Sequence, residues 1–390
     1  MLALLHATVG QTIVVAAGGT NTYPVKSYSL DKAATPVWYK KYPGVSIGVQ
    51  DAAACYGVPL SDGGFLLCGA GNEAEGSTVA EGFALRLTPG GDVAWKWLSG
   101  YNGADTVIGC NQLPNGGDIL VVGRWDVSGV VKRGMAKLNF ATGSQVWLTT
   151  DFGDSSGSTG AWETIDFTSD KSAALLSGWF KKTDTSPMGY RSGGNTFGGD
   201  AVVMNIPVTA LTGTTAPTSA NAAWTKEWAN HNAAHAARGL PNGEIAVLLW
   251  TDEDPNAFPK STVWGAASVT KLKADGTTVW GPINQGSAAG KPNQEGTDLT
   301  VSADGTTLVV GGHGYCAGTE SGGVATVLYC GKAFGVSASD GSMTWNTEFS
   351  SCDVPSKCQT TLIKNECWGI ASISDGYVLS CGTGIENCDG

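Results

Sequence analysis

Charge is what this sequence has least of. Asp, Glu, Lys and Arg make up 15% of its 390 residues, against about 25% in an ordinary globular domain. The 34 acidic residues outnumber the 23 basic ones, for a net charge of −11. The one local basic cluster, Lys181, Lys182 and Arg191, is too small to neutralise a phosphate backbone, so a nucleic-acid partner is excluded. Histidine is rarer still: four residues, none with an evident Ser or Cys partner, so nothing local marks nucleophilic catalysis. No C-x-x-C occurs, which argues against a zinc site. No N-x-S/T sequon occurs either, so N-glycans are not expected. Segments of ten or more residues with the helical 3.6 period are missing. The opening MLALLHATVGQTIVVAAGG is apolar but broken by His6 and Gly10 and carries no Lys or Arg. It is a poor membrane span. It reads as a strand over 2–9 or as the remnant of a secretory signal, and no other segment suggests a membrane span.

What is abundant points one way. The 56 Gly are about twice the usual share, and 42% apolar residues are enough for a sizeable core. This is the composition of short strands joined by many turns. Ten Cys without metal-ligand spacing suggest disulfides and hence an extracellular or secretory-pathway (luminal) location.

The strands repeat. Stretch 136–147, AKLNFATGSQVW, reads as a strand, a tight turn through Thr142-Gly143 and a second strand carrying Trp147. Imperfect copies end on Trp38, Trp95, Trp280 and Trp345, and a looser one on Trp224. An apolar run, usually closed by Gly, recurs at 11–18, 63–69, 116–123, 172–178, 243–250, 305–311 and 376–382. Asp/Asn-Gly turns, which tolerate positive φ, precede several of these runs and mark hairpins. The unit is therefore four strands, A to D, with the apolar run as B and the Trp on D. Such units in series are propeller blades.

The sequence thus predicts a single all-β domain over 1–390, a β-propeller of four-stranded blades. Seven blades with an incomplete last blade are favoured, and six or eight are the alternatives. The blades fall at about 1–42, 45–98, 104–150, 160–228, 230–282, 294–348 and 362–390, the last partial. Trp38, Trp95, Trp147, Trp224, Trp280 and Trp345 are expected to fill the wedges between splayed blades.

The hairpin A-x-L-[ND]-x-x-T-G-x-x-x-W resembles the tryptophan-docking motif of quinoprotein-type (PQQ-like) propellers, best at 136–147. The resemblance covers blade cores and not loops. It implies a quinone held by a disulfide of adjacent Cys, a Trp floor and a calcium. This chain has no adjacent Cys pair and no recognisable calcium set, so no cofactor is expected. The closer analogy is to members of that family that lost the cofactor and serve as assembly scaffolds.

Loop lengths single out one face. A–B and C–D turns read as short, whereas B–C connections (70–81, 181–199, 252–263, 313–331) and D–A connections (281–294, 346–364) are long. Strands of a meander alternate in direction, so these long loops share one face, the candidate working surface. His235 and Glu163, with Glu366 at a comparable strand-A position, are candidates to line the channel and bind a ligand there. His231 shares i, i+4 spacing with His235. Trp162, Trp179, Tyr190 and Trp264 are candidate exposed aromatics for sugar rings, although two of the four are expected to serve blade packing instead. Asp252 and Asp254 are a weak calcium candidate; otherwise no metal is expected. Cys55–Cys68 and Cys367–Cys381 occupy A and B positions of single blades and are expected to pair. Cys316–Cys330 and Cys352–Cys358 would close loops. Cys110 and Cys388 remain, and the position of Cys388 places its partner beyond residue 390.

The functional expectation is a secreted or luminal, non-enzymatic structural or protein-interaction module, a subunit of a larger assembly. The alternatives are a glycan-binding propeller and a propeller hydrolase or lyase acting on polysaccharide. Strands A and B of the last blade are followed by no legible C and D. The missing pair is expected from further sequence or from a protein partner, or the edge stays exposed.

Overall fold

The computed structural model describes residues 2–4, 13–17, 25–30, 36–42, 50–72, 80–100, 105–153, 159–181, 191–192, 195–196, 200–229, 231–251, 266–285, 294–321, 324–349, 363–373 and 376–385. Among the described residues the molecule is all-β, with six four-stranded antiparallel meanders, a final two-stranded hairpin and a small pairing of Arg191–Ser192 with Asn195–Thr196. Blade 3 is typical, with strands Thr106–Gln112, Ile119–Val127, Val130–Leu138 and Gln145–Thr149 as A to D. The apolar B strands of blades 2 to 6 are sandwiched between sheets. In blade 3 Ile119, Leu120, Val121 and Val122 are all fully buried, because both sheet faces meet neighbouring blades.

The A strands line the axis. They are Leu2–Leu4, Gln50–Pro59, Thr106–Gln112, Thr159–Phe167, Ala233–Gly239, Gln294–Val301 and Ile363–Ile373. Each lies against the next, and Leu2–Leu4 touches both Gln50–Pro59 and Ile363–Ile373, so the inner circle is continuous. This is a β-propeller with six four-stranded blades and, among the described residues, two strands of a seventh. Its seventh sheet has strands Ile363–Ile373 and Gly376–Ile385 among the described residues, and joins the sixth through one parallel pair, Tyr329 with Lys364.

One device recurs in the inner strands. Strand A of blades 2 to 7 carries an irregularity where a residue is left without a partner on B. The extra residues are Cys55, Ile108, Glu163, His235, Thr297 and Trp368. Such bulges bend a strand and re-aim a side chain. They also explain why several B runs end in glycine. A Cβ on Gly123, Gly178 or Gly312 would overlap the carbonyl oxygen of Thr106, Ala161 or Glu295 on the bulged strand.

Between blades the D-strand tryptophans do the joining. The Trp95 indole of blade 2 donates to the Phe140 carbonyl in the C–D turn of blade 3, at 2.9 Å. Trp147 donates to Gly213 O (3.3 Å), Trp224 to Ala274 O (2.8 Å) and Trp280 to Ala338 O (3.3 Å), each on the next blade. The turn glycines Gly143, Gly276 and Gly341 lie under Trp95, Trp224 and Trp280, so close that a Cβ would sit 2.7–2.8 Å from ring carbons. All three have positive φ, so each is required twice, by its backbone and by the ring it carries. This is the physical content of T-G-x-x-x-W: the glycine receives the preceding blade's tryptophan, and the tryptophan is sent to the next blade's glycine. Trp38 has its backbone in Pro36–Tyr42, with its side chain outside the description.

Three expectations need correction. Stretch 313–331 is not a long loop: strands Thr307–Ser321 and Val324–Ser337 continue through most of it as a paired ribbon, and its β-branched Thr319, Val324, Thr326 and Val327 suit a strand. The C–D turns are not all short, because blade 4 inserts 208–223 there, with a short helix Val208–Thr212. The buried Lys137 ammonium donates to the carbonyls of Leu211, Thr212 and Gly213 at its end. Trp162 and Trp179 are not exposed: both are buried, packed between blades.

Candidate functional site

The channel mouth on the long-loop side is built from the bulged residues. Glu163 of blade 4 and His235 of blade 5 are both extra residues of their strands. The structure brings them together, His235 Nδ1 lying 2.5 Å from Glu163 Oε2. The imidazole rests against Trp250, with ring centroids 5.8 Å apart. Its Nε2 is buried, with no hydrogen-bond partner among the described residues. Burial alone would lower the pKa of His235, but the charge and hydrogen bond of Glu163, with help from Glu295 and Asp298, outweigh it and raise the value. On blade 6, Glu295 Oε2 lies 3.3 Å from His313 Nε2, and His313 packs on Trp368 at 5.2 Å. Burial pushes Glu295 up, yet the neighbouring His313 and then His235 hold it below the ordinary range. The mouth therefore carries two carboxylate–imidazole pairs in mutual electrostatic contact. His231 does not join them. Its backbone ties Trp228 to Ala201, and burial lowers its pKa, opposite to His235.

Beneath this layer the bore is bridged by a group that motif reading missed. Arg238 of blade 5 is almost fully buried, 3% exposed. Its Nη2 donates to Asp298 Oδ1 of blade 6 (2.7 Å) and to the Tyr56 hydroxyl of blade 2 (3.2 Å), and its Nε to Leu299 O (3.0 Å). Asp166 of blade 4 lies 3.5 Å from Nε. The second Asp298 oxygen accepts the Ile370 N–H of blade 7 at 3.1 Å. Arg238 and Asp298 together thus link five blades across the bore. Its charge is firmly held: burial opposes it, but Tyr56, Asp298 and Asp166 raise its pKa. A lone Arg in the run AAHAARG was the available signal, and its partners are too distant in sequence to be read.

The remaining candidates are placed as follows. Glu366 has its backbone opposite Gly382, with its side chain outside the description. Tyr190, Trp264, Asp252, Asp254, Cys352, Cys358 and Cys388 lie outside the described residues. Cys367 and Cys381 form a disulfide. Cys330 is disulfide-bonded, in register two residues from Cys316, whose side chain is outside the description. Cys68 is buried opposite Tyr56, beside the bulge that holds Cys55. Cys110 is a buried free thiol. Among the described residues no three His, Cys, Asp or Glu side chains converge to hold a metal, and no helix is long and apolar enough to cross a membrane.

A second site is a seam. Trp345 of blade 6 holds the same register position as the other docking tryptophans, yet it is 37% exposed. A Cβ on Gly335, opposite it on its own blade, would overlap the indole nitrogen. Across the seam its described ring neighbour is Tyr377, 6.3 Å away by centroids.

No family model matches the sequence, and no curated protein matches it. Solved structures do. Sqt1 from Chaetomium thermophilum is similar over all of this chain and 95% of its own, with TM-score 0.50 and 7% identity. The periplasmic gluconolactonase PpgL from Pseudomonas aeruginosa covers 94% of this chain and 88% of its own, with TM-score 0.49 and 12% identity. The quinohemoprotein alcohol dehydrogenase from Comamonas testosteroni covers 98% and 73%, with TM-score 0.46 and 11% identity. At these identities the likeness is one of fold: the chain is a propeller.

Proposed function

We propose that residues 1–390 act as one extracellular or luminal propeller whose role is structural, a protein-interaction subunit of a larger assembly. The observation that carries this is Trp345, which holds the docking register at the seam after blade 6 and is 37% exposed. Trp95 and Trp147 at the same register are buried and Trp224 and Trp280 half-buried, whereas Trp345 is open to contact. The Cys367–Cys381 disulfide supports the oxidising location. The Trp–glycine seams support placing the chain beside cofactor-free relatives of quinoprotein-type propellers. Affinity capture from the native source tests the reading. A stoichiometric protein partner is expected, and its absence under gentle extraction would overturn it.

A second reading is favoured by one observation, the His235 Nε2 at the channel mouth, which has no partner among the described residues. There His235, oriented by Glu163, would contact a small polar ligand such as a carbohydrate, as a lectin or a hydrolase acting on polysaccharide would require. Burial of Trp179 removes one expected stacking surface for a sugar ring. Saturable binding on a glycan array, lost in His235→Ala, would favour this reading over the first.

A further inference from the structure

Resting on the second reading, in which the channel mouth holds a small polar ligand, we propose that this ligand is a neutral sugar. One of its hydroxyls accepts from His235 Nε2–H and donates to the Glu295 carboxylate.

The bore is built in two layers of one pattern. In the lower layer Arg238 stands between two carboxylates, 3.5 Å from Asp166 of blade 4 and 2.7 Å from Asp298 of blade 6. Glu163, His235 and Glu295 each lie three residues earlier on the same three A strands. Glu163 meets His235 as Asp166 meets Arg238, with the same spacing along the chain, so these strands run side by side in one direction. The upper layer therefore repeats the lower as acid, base, acid.

What the lower layer completes, the upper leaves open. Arg238 bonds to its acid on blade 6, whereas among the described residues no hydrogen bond or ion pair joins His235 to Glu295. The imidazole is shorter than the arginine arm and reaches only Glu163. Glu295 Oε2, although 3.3 Å from His313 Nε2, accepts no aligned hydrogen bond among the described residues. His235 Nε2 and Glu295 Oε2 are both buried, yet their side chains keep 17% and 11% of their surface open to solvent. The place is reachable from the mouth.

The two atoms require opposite things of a ligand. Against burial, Glu163 with Glu295 and Asp298 favours the imidazolium of His235, which offers a proton at Nε2 while Nδ1 serves Glu163. Against burial again, His313 and His235 keep Glu295 ionised, an acceptor only. A ligand ammonium could only donate and a ligand carboxylate only accept, but a hydroxyl does both. Glu163, Glu295, Asp166 and Asp298 also give this part of the bore a negative charge that a uronate or phosphate would meet. A sugar hydroxyl can take the position of an ordered water here and bring an apolar ring face with it. The indole for that face is Trp368, an extra residue of its strand that packs on His313 and is only half-buried.

The test applies the whole chain to an array printed with neutral oligosaccharides and their matched uronate counterparts. Neutral glycans should bind saturably and at least tenfold more tightly than the uronates, a ratio read on the unaltered protein. His235→Ala should abolish that binding. Glu295→Gln, which keeps the size and removes the charge, should weaken neutral glycans about tenfold, as loss of a hydrogen bond to a charged group does. The same variant should shrink the neutral-to-uronate ratio, which a purely structural role for Glu295 would leave unmoved. Thermal melts check that both variants fold, and if Glu295→Gln does not, the ratio on the unaltered protein still decides. If uronates bind as tightly as neutral glycans, or Glu295→Gln leaves the ratio unchanged, the inference fails while carbohydrate binding through His235 stands. If nothing on the array binds saturably, or binding is indifferent to His235→Ala, the second reading fails and the inference with it.

Discussion

Four seams of the ring and the seam after blade 6 present the same residue in the same register, and differ in what that residue touches. Trp95, Trp147, Trp224 and Trp280 each reach a backbone carbonyl on the next blade. Trp345 lies over its own blade and is exposed. A docking tryptophan is therefore not buried by its own hairpin. Its burial is conferred by the turn of the following blade, so the repeating unit of stability straddles two blades.

The largest expected effect breaks that comparison directly. Trp95→Ala should lower stability by about 3–5 kcal/mol, as truncating a packed aromatic does, while Trp345→Ala should cost less than about 1 kcal/mol, as a substitution away from the core does. Equilibrium denaturation of both variants decides it, and equal losses would erase the distinction between seams. Arg238→Met comes next. It leaves the buried Asp298 carboxylate without its guanidinium, a loss of about 3–5 kcal/mol. Adding Asp298→Asn should recover much of it, because no charge is then left uncompensated.

Removing the Cys367–Cys381 bridge by a double Ser substitution should cost about 3 kcal/mol on the loop-entropy view. Hydrogen exchange should localise the loss to 363–385 and leave blade 3 protected, sharpening the contrast between the weak and strong ends of the ring. The smallest effect concerns pH at a sealed seam. Asp105 and Glu81 both contact the Ser99 hydroxyl, at 2.9 and 3.1 Å, where blade 2 meets blade 3. Burial, with added repulsion from Glu81 and Asp126, raises Asp105 to about 6, against the opposing hydrogen bonds of Asp126 N–H and Ser99. A raised acid binds its proton more tightly when folded. Its stabilisation is therefore full below the ordinary carboxylate pKa and lost as pH rises through about 6, on the order of 2 kcal/mol. Asp105→Asn should flatten that slope in thermal melts recorded between pH 4 and 8.

The blades were legible because their signals are local. An Asp/Asn-Gly turn, an apolar run and a T-G-x-x-x-W hairpin each lie within a dozen residues, and each reflects one steric need. The Glu163–His235 contact was partly legible too, since both fall at comparable strand-A positions, although their shared status as bulge residues emerged only from the register. Arg238 was not legible, because its tie to Tyr56 spans 182 positions and depends on ring closure. Two of Trp162, Trp179, Tyr190 and Trp264 were expected to pack between blades, but local sequence did not say which, because an aromatic at the end of a blade looks like a surface residue until the neighbouring blade is in place. The short helix Val208–Thr212 lacks the length to show a helical period.

Four seams are asymmetric in the same sense, the indole on one blade and its carbonyl acceptor on the next. Such a head-to-tail joint is heterologous, and a heterologous joint contains no instruction about when to stop. The number of blades must then be set elsewhere, by the angle at which successive sheets splay and by ties across the bore such as Arg238 to Tyr56. Duplicating one whole blade would supply a new indole and a new glycine together, satisfying every joint along the chain while misaligning the arginine. Copying is cheap for this architecture at its rim and costly only at its hub.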